Sequence, residues 1–337
     1  MNIIINPQHI ERSKWSDFIS SNAEGNIFQT PEMYDVYKNT KHYEPVFVCI
    51  TNDEQNIEAL LLAVIQSEGQ GVKKLLTARS IIFGGPIYNK YNLEALQLCL
   101  EQYQKQISRK AIYSQFRNFS IQNAEVQHVF KHAGFNYEPH LNILLPVFAD
   151  ENIMWKGIKR NRKDGINKAK KAGFDFSVNH PESDISEFYS LTTLLFQKIK
   201  LPYPDINFFE NIQKYVSPNV HRFSLTYNNK TVIELFALSY KTVLYAFYIG
   251  ISQDKNFEKQ RPVDLFYWEI IRWCSSNGIE TFDWMGAGKP DQDYGVRDFK
   301  LQFGGELSNM GRYVQIHKPL FMLTGKAGLY LWKKLKK

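Results

Sequence analysis

Residues 293–305 read DYGVRDFKLQFGG and crowd together side chains that could do chemistry. Lys300 stands between Phe299 and Leu301, with Phe303 close behind. An ammonium among apolar residues is costly to bury unpaired. It either snorkels to water or faces a polar cleft. In a cleft it would stabilise the oxyanion that forms when an amine attacks an ester or thioester. Asp283 and Asp293 flank the run FDWMGAGKPDQDYG, and either carboxylate could orient or deprotonate such an amine. Asp283 ends a predicted strand, IETFDWM, where ligand sites of open α/β sheets tend to sit. Asp291 reads as ordinary turn chemistry, and the same reading is open for Asp293. Tyr294 joins the candidate binding residues of this stretch.

The second concentration of chemistry is KGIKRNRKDGINKAKK, residues 156–171. It holds Lys156, Lys159, Arg160, Arg162, Lys163, Lys168, Lys170 and Lys171 against one acid, Asp164, and so accounts for the whole net charge of +7. A surplus confined to one segment points to docking of an anion: tRNA phosphates, a diphosphate headgroup or anionic lipid. The alternative is a solvated helix face. Read as one helix starting at Ala149–Glu151, the segment has Trp155, Ile158, Ile166 and Ala169 on one face and cations on another. Lys159, Arg160 and Lys163 are its candidate phosphate contacts.

Other chemistries find little support. Cys49, Cys99 and Cys274 are far apart and odd in number, as expected of free thiols in a reducing compartment. Neither a G-x-S-x-G run nor a catalytic-cysteine motif occurs. His128 and His132 have the i, i+4 spacing of a zinc pair but lack a third ligand nearby, so no metal is expected. The N-terminal residues lack a basic region followed by an apolar core, and no apolar run is of membrane-spanning length. The expected location is the cytoplasm, with peripheral contact at the inner face of the membrane through PLFMLTGKAGLYLWKKLKK, residues 319–337. A docked terminal helix with a solvated tail is the other reading of that segment.

The chain of 337 residues suits two domains. Its halves share an order of elements. PVFVCITNDEQNIEALLLAVIQ reads as strand, turn, strand, and a strand near LLTARSIIFGG follows. Helices over NLEALQLCLEQYQKQI and AEVQHVFKHAGF then alternate with strands at AIYSQFRNF and HLNILLPVF. The second half answers with HRFSLTYNNKTVIELFALSY, VLYAFYIGIS, a helix over 263–276, IETFDWM, a helix at VRDFKLQFGG and a strand at RYVQIH. Strand–helix–strand crossovers imply mixed α/β domains with partly parallel sheets. The spacing predicts domains over 1–150 and 151–318, followed by a basic amphipathic tail over 319–337.

This order resembles the GNAT acyltransferase fold in tandem, as in the FemABX family of peptidoglycan aminoacyltransferases. The likeness is carried by NIFQTPEMYDVY (26–37), by LNILLPVF with IKRNRKDGINKAKKAGFDF (141–176), by LPYPDINFFENI (201–212), and above all by 248–307. It implies two GNAT-like domains packed together and transfer of an aminoacyl or acyl group onto an amine of a cell-envelope precursor. The resemblance also implies a functional lysine at Lys300. No cofactor is implied beyond the acyl donor, aminoacyl-tRNA or acyl-CoA. In this fold the central strand splays to admit the donor, which makes Tyr248 and Gly250 candidate wall residues, while Tyr203 and Asp205 of LPYPD fall on the acceptor side. CoA-using members follow the central strand with a glycine-rich loop that cradles pyrophosphate. Here that place reads KNFEKQRPVD (255–264), without glycine. No long heptad hairpin of the kind some members insert separates the halves.

Two alternatives stay open on the residues alone. One is a CoA-dependent N-acyltransferase acting on an amino sugar or polysaccharide precursor. The other is a non-catalytic protein that binds anionic lipid or RNA.

Overall fold

The computed structural model describes residues 1–322 and has two compact units. One comprises Met1–Pro139 and, of the described residues, Met310–Met322; the other is His140–Asn309. The change from one unit to the next thus falls at 139/140, ahead of the expected 150. It falls there because strand Leu141–Pro146 pairs with Thr281–Asp283 and Glu306–Asn309, in the second sheet. Strand Arg312–Ile316, expected in the second domain, lies instead between Tyr113–Arg117 and Asn136–Glu138 in the first sheet. Each unit therefore completes its sheet with a strand from the other side of the sequence boundary. The tail expected over 319–337 lies outside the described residues from Leu323 on.

The first sheet runs in the order 2–4, 43–51, 57–66, 79–83, 113–117, 312–316, 136–138, with 87–88 also on 57–66. Its pairs are antiparallel except Arg79–Phe83 with Tyr113–Arg117. Nearly continuous apolar runs, Val46–Ile50 and Ala59–Ile65, are buried on both faces. Helix Leu93–Ile107 covers one face through Leu96, Cys99, Leu100 and Tyr103. The segment before strand 79–83, expected as part of a strand, forms a short helix over Gly71–Thr77.

The second sheet runs 306–309, 141–146, 281–283, 243–251, 230–240, 220–227, 175–179. Its parallel pair is Val243–Ile251 with Thr281–Asp283, joined by the crossover helix Pro262–Ser276. Pro262 starts that helix, where its missing N–H costs nothing. Phe266, Ile270, Ile271 and Cys274 bury its apolar stripe. The turn Asn228–Asn229 takes left-handed φ of 49° and 60°, the conformation that suits Asn in a tight hairpin. All three cysteines are buried and free, and burial pushes their thiol pKa values up, Cys49 to about 12. They are core residues. Among the described residues no helix is long and apolar enough to cross a membrane.

Candidate active site

The parallel pair of the second sheet is short. Val243, Leu244 and Tyr245 match Thr281, Phe282 and Asp283, and the pairing stops there while the longer strand continues to Ile251. A register shift between Phe236 and Leu238 bends the ladder at the same level. Two parallel strands that part at their C-terminal ends form the place where α/β sheets take ligands.

Asp283 ends the shorter strand, buried at 2% exposure. Its Oδ1 accepts from Asn142 Nδ2 (2.9 Å) and from the Met285 N–H (2.7 Å). Asn142 Oδ1 in turn accepts from the Gly286 N–H (2.7 Å). Lys300 reaches the same turn from helix Gly295–Leu301, donating to the carbonyls of Trp284 (2.9 Å) and Gly286 (2.7 Å). The turn needs such bracing, because Met285 takes φ of 55°, a left-handed conformation that L side chains rarely adopt. Lys300 thus neither snorkels freely nor stands bare in a cleft. It is a half-buried cation that donates to two backbone carbonyls and lies 5.9 Å from the Trp284 ring centre, with no other hydrogen-bond partner among the described residues. Burial pulls its pKa down to about 8, against the opposing charge of Asp283. Burial pushes Asp283 up, and the Met285 N–H, the Asn142 amide and the Lys300 charge pull the other way.

Asp293 and Tyr294 lie exposed just ahead of the lysine helix. Of the two candidate carboxylates, Asp293 reaches solvent and Asp283 is enclosed. Arg297 ties the connecting loop together by donating to the carbonyls of Lys289 (2.8 Å) and Gln292 (2.7 Å).

The basic segment is two helices, Glu151–Gly157 and Arg160–Ala172, broken where Ile158 turns extended. Asp150 caps the first of them only. Arg162 is drawn inward: it bonds Asp264 (2.6 Å) and Gln302 (2.8 Å), with its guanidinium 4.8 Å from the Phe299 ring. Arg261 holds the other Asp264 oxygen at 2.6 Å. Gly165 faces this pair so closely that a Cβ there would stand 1.9 Å from Asp264 Oδ2. The Lys159 N–H donates to the Gln302 carbonyl (2.9 Å), which bolts the start of the basic helix to the end of the lysine helix. Lys159, Arg160, Lys168 and Lys171 are exposed, and Lys163 lies over the Trp155 ring; among the described residues no carboxylate pairs with any of these five.

The remaining candidates lie on another face of the unit. Tyr248 packs against Phe196, Tyr203 and Phe209. Tyr203 lies against Tyr189 and Phe196, and its hydroxyl is buried. Gly250 is not an open wall: a Cβ there would meet Leu191 Cβ and Thr192 Oγ1 at 2.7 Å, so it lets helix Ser186–Ile199 close onto the strand. Asp205 caps helix Ile206–Tyr215 through the Asn207 N–H (3.0 Å). These contacts give both residues a structural occupation.

Lys300 and Asp283 meet around one turn, Asp293 and Tyr294 stand at the start of the lysine helix, and Lys159 joins its end. Asn142, Arg162, Asp264 and Arg261 were missed as parts of this assembly. A lone Asn inside the apolar strand LNILLP was the available signal, since a buried amide demands partners.

Residues 159–300 match the family model described as an acetyltransferase (GNAT) domain. That span begins at Lys159 and ends at Lys300. The fold is similar to the crystal structure of FemX, with 15% identity, 96% of this chain and 100% of that one covered, and a TM-score of 0.71. It is also similar to the C-terminal domain of a putative lysylphosphatidylglycerol synthetase from Agrobacterium fabrum (13% identity, 91% of each chain, TM-score 0.57). A tandem GNAT protein from the clavulanic acid biosynthesis pathway shares the fold at 7% identity, covering 94% of this chain and 98% of its own, with a TM-score of 0.55. No curated protein matches the sequence. The second unit thus contains the stretch that matches a GNAT domain, and the fold of the chain is shared with FemX and with a tandem GNAT protein.

Proposed function

We propose that this acyltransferase transfers an aminoacyl or acyl group from an ester-linked donor such as aminoacyl-tRNA onto an amine of a cell-wall or cell-envelope precursor. The amine nitrogen attacks the donor carbonyl carbon, and a tetrahedral oxyanion forms. The C–O bond to the donor then breaks, the leaving alcohol takes a proton, and an amide remains. The third N–H of Lys300 stabilises the oxyanion, a role worth roughly 100-fold or more in rate for a preorganised donor. Asp293 orients the amine and takes its proton, and Tyr294 borders the same entrance. Asp283 and Asn142 hold the turn that aims Lys300. Lys159, Arg160 and Lys163 offer charge to a phosphate-bearing donor or acceptor, and Tyr203 and Tyr248 line the acceptor side.

The observation that carries this reading is the cation fixed against the turn at which the parallel strands part. A second observation favours a donor other than CoA. The first turn of helix Pro262–Ser276 follows the central strand, as the pyrophosphate-binding turn does in CoA-using members. Here its favoured negative charge comes from Asp264, clamped between Arg162 and Arg261 and covered by the basic helix. The names of the neighbours, FemX and a lysylphosphatidylglycerol synthetase, agree with an envelope substrate.

Transfer from charged tRNA to a nucleotide-linked or lipid-linked wall precursor, assayed with wild type and Lys300→Ala, tests the proposal. A folded variant within a few-fold of wild type would remove Lys300 from the chemistry. A melting-temperature shift with acetyl-CoA would restore the CoA reading, since a ligand at about 100 times its Kd adds roughly 2.7 kcal/mol.

A further inference from the structure

Helix Gly295–Leu301, which carries Lys300, has seven residues, no side-chain cap at its start and no buried residue. So short a helix is marginal by itself and takes its position from what holds it. Lys300 ties it to the turn at Met285. Its far end is held by the start of the basic helix Arg160–Ala172. Gln302, which closes the lysine helix, is gripped there twice. Its carbonyl accepts from the Lys159 N–H (2.9 Å), and its Oε1 accepts from Arg162 Nε (2.8 Å). The Arg162 guanidinium also lies 4.8 Å from the Phe299 ring. One arginine thus touches the residue just before Lys300 and the second residue after it.

Arg162 is itself fixed. Its side chain is 15% exposed, and Nη1 donates to Asp264 Oδ1 at 2.6 Å. Asp264 lies in the first turn of the crossover helix Pro262–Ser276, and Arg261 holds its other oxygen. Phe299 in turn packs on Tyr267 (5.9 Å) and Phe303 (5.3 Å), and Tyr267 packs on Trp284 (4.5 Å), whose carbonyl receives Lys300. A single guanidinium therefore joins the basic helix, the crossover helix and the lysine helix. Its plane and its several donors make this possible; a lysine has only a point charge to offer.

We propose that Arg162 is a positioning residue of the transfer reaction: acting through Gln302 and Phe299, it fixes the end of the lysine helix and so sets where the Lys300 amine stands. The inference rests on the reading of Lys300 as the oxyanion donor. It divides the basic segment into two roles, with Lys159 and Arg160 facing outward and Arg162 facing in toward the chemistry. A donor displaced by about 1 Å loses on the order of tenfold to a hundredfold in rate.

Gln302→Ala tests this most cleanly. It removes the acceptor of Arg162 Nε and leaves the Asp264 pair and the Lys159 backbone bond in place. In transfer from charged tRNA to a wall precursor it is expected to lower kcat about tenfold with KM little changed. Arg162→Lys, which loses the Phe299 contact as well, is expected to lower kcat at least as far. Gln302→Glu keeps an oxygen for Arg162 and is expected to recover most of the loss. In a Lys300→Ala background, Gln302→Ala is expected to cost nothing further, since the group it positions is gone. Fully additive losses would overturn the inference and leave the oxyanion role of Lys300 standing. So would a Gln302→Ala kcat within about twofold of wild type beside a slow Lys300→Ala. A Lys300→Ala variant as fast as wild type would overturn both.

A substrate-free measurement reads the same point. The pH dependence of acetic anhydride labelling at Lys300, followed by peptide mass spectrometry, gives the titration of the amine, which burial holds at about 8 against the facing charge of Asp283. Gln302→Ala is expected to move that titration upward by about one pH unit, as the helix end loosens and the amine gains water. A titration that stays at the wild-type value would overturn the inference.

Discussion

The amide of Asn142 and the carboxylate of Asp283 meet at 2.9 Å inside the second sheet, and between them they hold the N–H groups of Met285 and Gly286. Lys300 holds the carbonyls on either side of Met285. The turn is therefore fixed by three side chains from three separate parts of the chain. Asn142→Ala would leave a buried carboxylate and a turn N–H short of a partner. An expected loss of about 2–3 kcal/mol follows from one hydrogen bond to a charged group. Chemical denaturation measures it, and an unchanged midpoint would show that the turn does not depend on the amide.

The pKa of Lys300, about 8, sets a pH test. The proposed role needs the protonated amine, so kcat/KM should fall as pH rises through about 8. Lys300→Arg keeps its charge far above that, and any activity it retains should lose the alkaline limb. Asp283→Asn removes the charge that raises the lysine's pKa, which moves the limb to lower pH. A limb that stays at the same pH in both variants would belong to another group. For stability the sign is opposite to that of an ordinary ion pair. Folding depresses this lysine, so above about pH 8 the folded state loses its proton before the unfolded one, and stability rises until the unfolded lysine titrates.

Asp264 carries two guanidiniums in an enclosed place. Asp264→Ala removes the carboxylate that Arg162 and Arg261 share, leaving Arg162 with Gln302 and Arg261 with Asn161, and breaking a buried pair costs about 3–5 kcal/mol. Gly165→Ala should also destabilise, because its Cβ would meet the carboxylate at 1.9 Å. Thermal melts of the two variants measure this. Wild-type melting of Gly165→Ala would mean that the helices can shift apart cheaply.

Lys159 and Arg160 face solvent and Lys163 lies half-buried over the Trp155 ring, and none of the three has a carboxylate partner among the described residues. Their joint replacement by Gln is expected to raise KM for a phosphate-bearing substrate about tenfold at low salt, with kcat preserved and the difference shrinking as salt rises. A fall in kcat with KM unchanged would place these residues in the chemistry instead.

Much of this architecture could be read from periodicity. The alternating apolar runs and the stripe from Val263 to Cys274 produce the sheets and the crossover helix where expected. The exchanged strands could not be read, because LNILLP and RYVQI are equally good strands for either sheet and only long-range pairing assigns them. The break at Ile158 was hidden for a related reason: a run of cations keeps helical spacing even across an extended residue. At the site, Lys300 announced itself by standing among apolar neighbours. Its bonds to backbone carbonyls carry no residue signature. Asp205 and Gly250 look like binding residues by position, yet one caps a helix and the other admits one. Capping and close packing use the same residue types that line sites.

The most direct test of the central claim is single-turnover transfer of a labelled aminoacyl group from charged tRNA to a wall precursor, wild type beside Lys300→Ala. The account expects amide formation by the wild type, about 100-fold or more slower transfer by the folded variant, and no requirement for CoA. Equal rates for the two proteins would contradict it, as would transfer that proceeds only when an acyl-CoA is supplied.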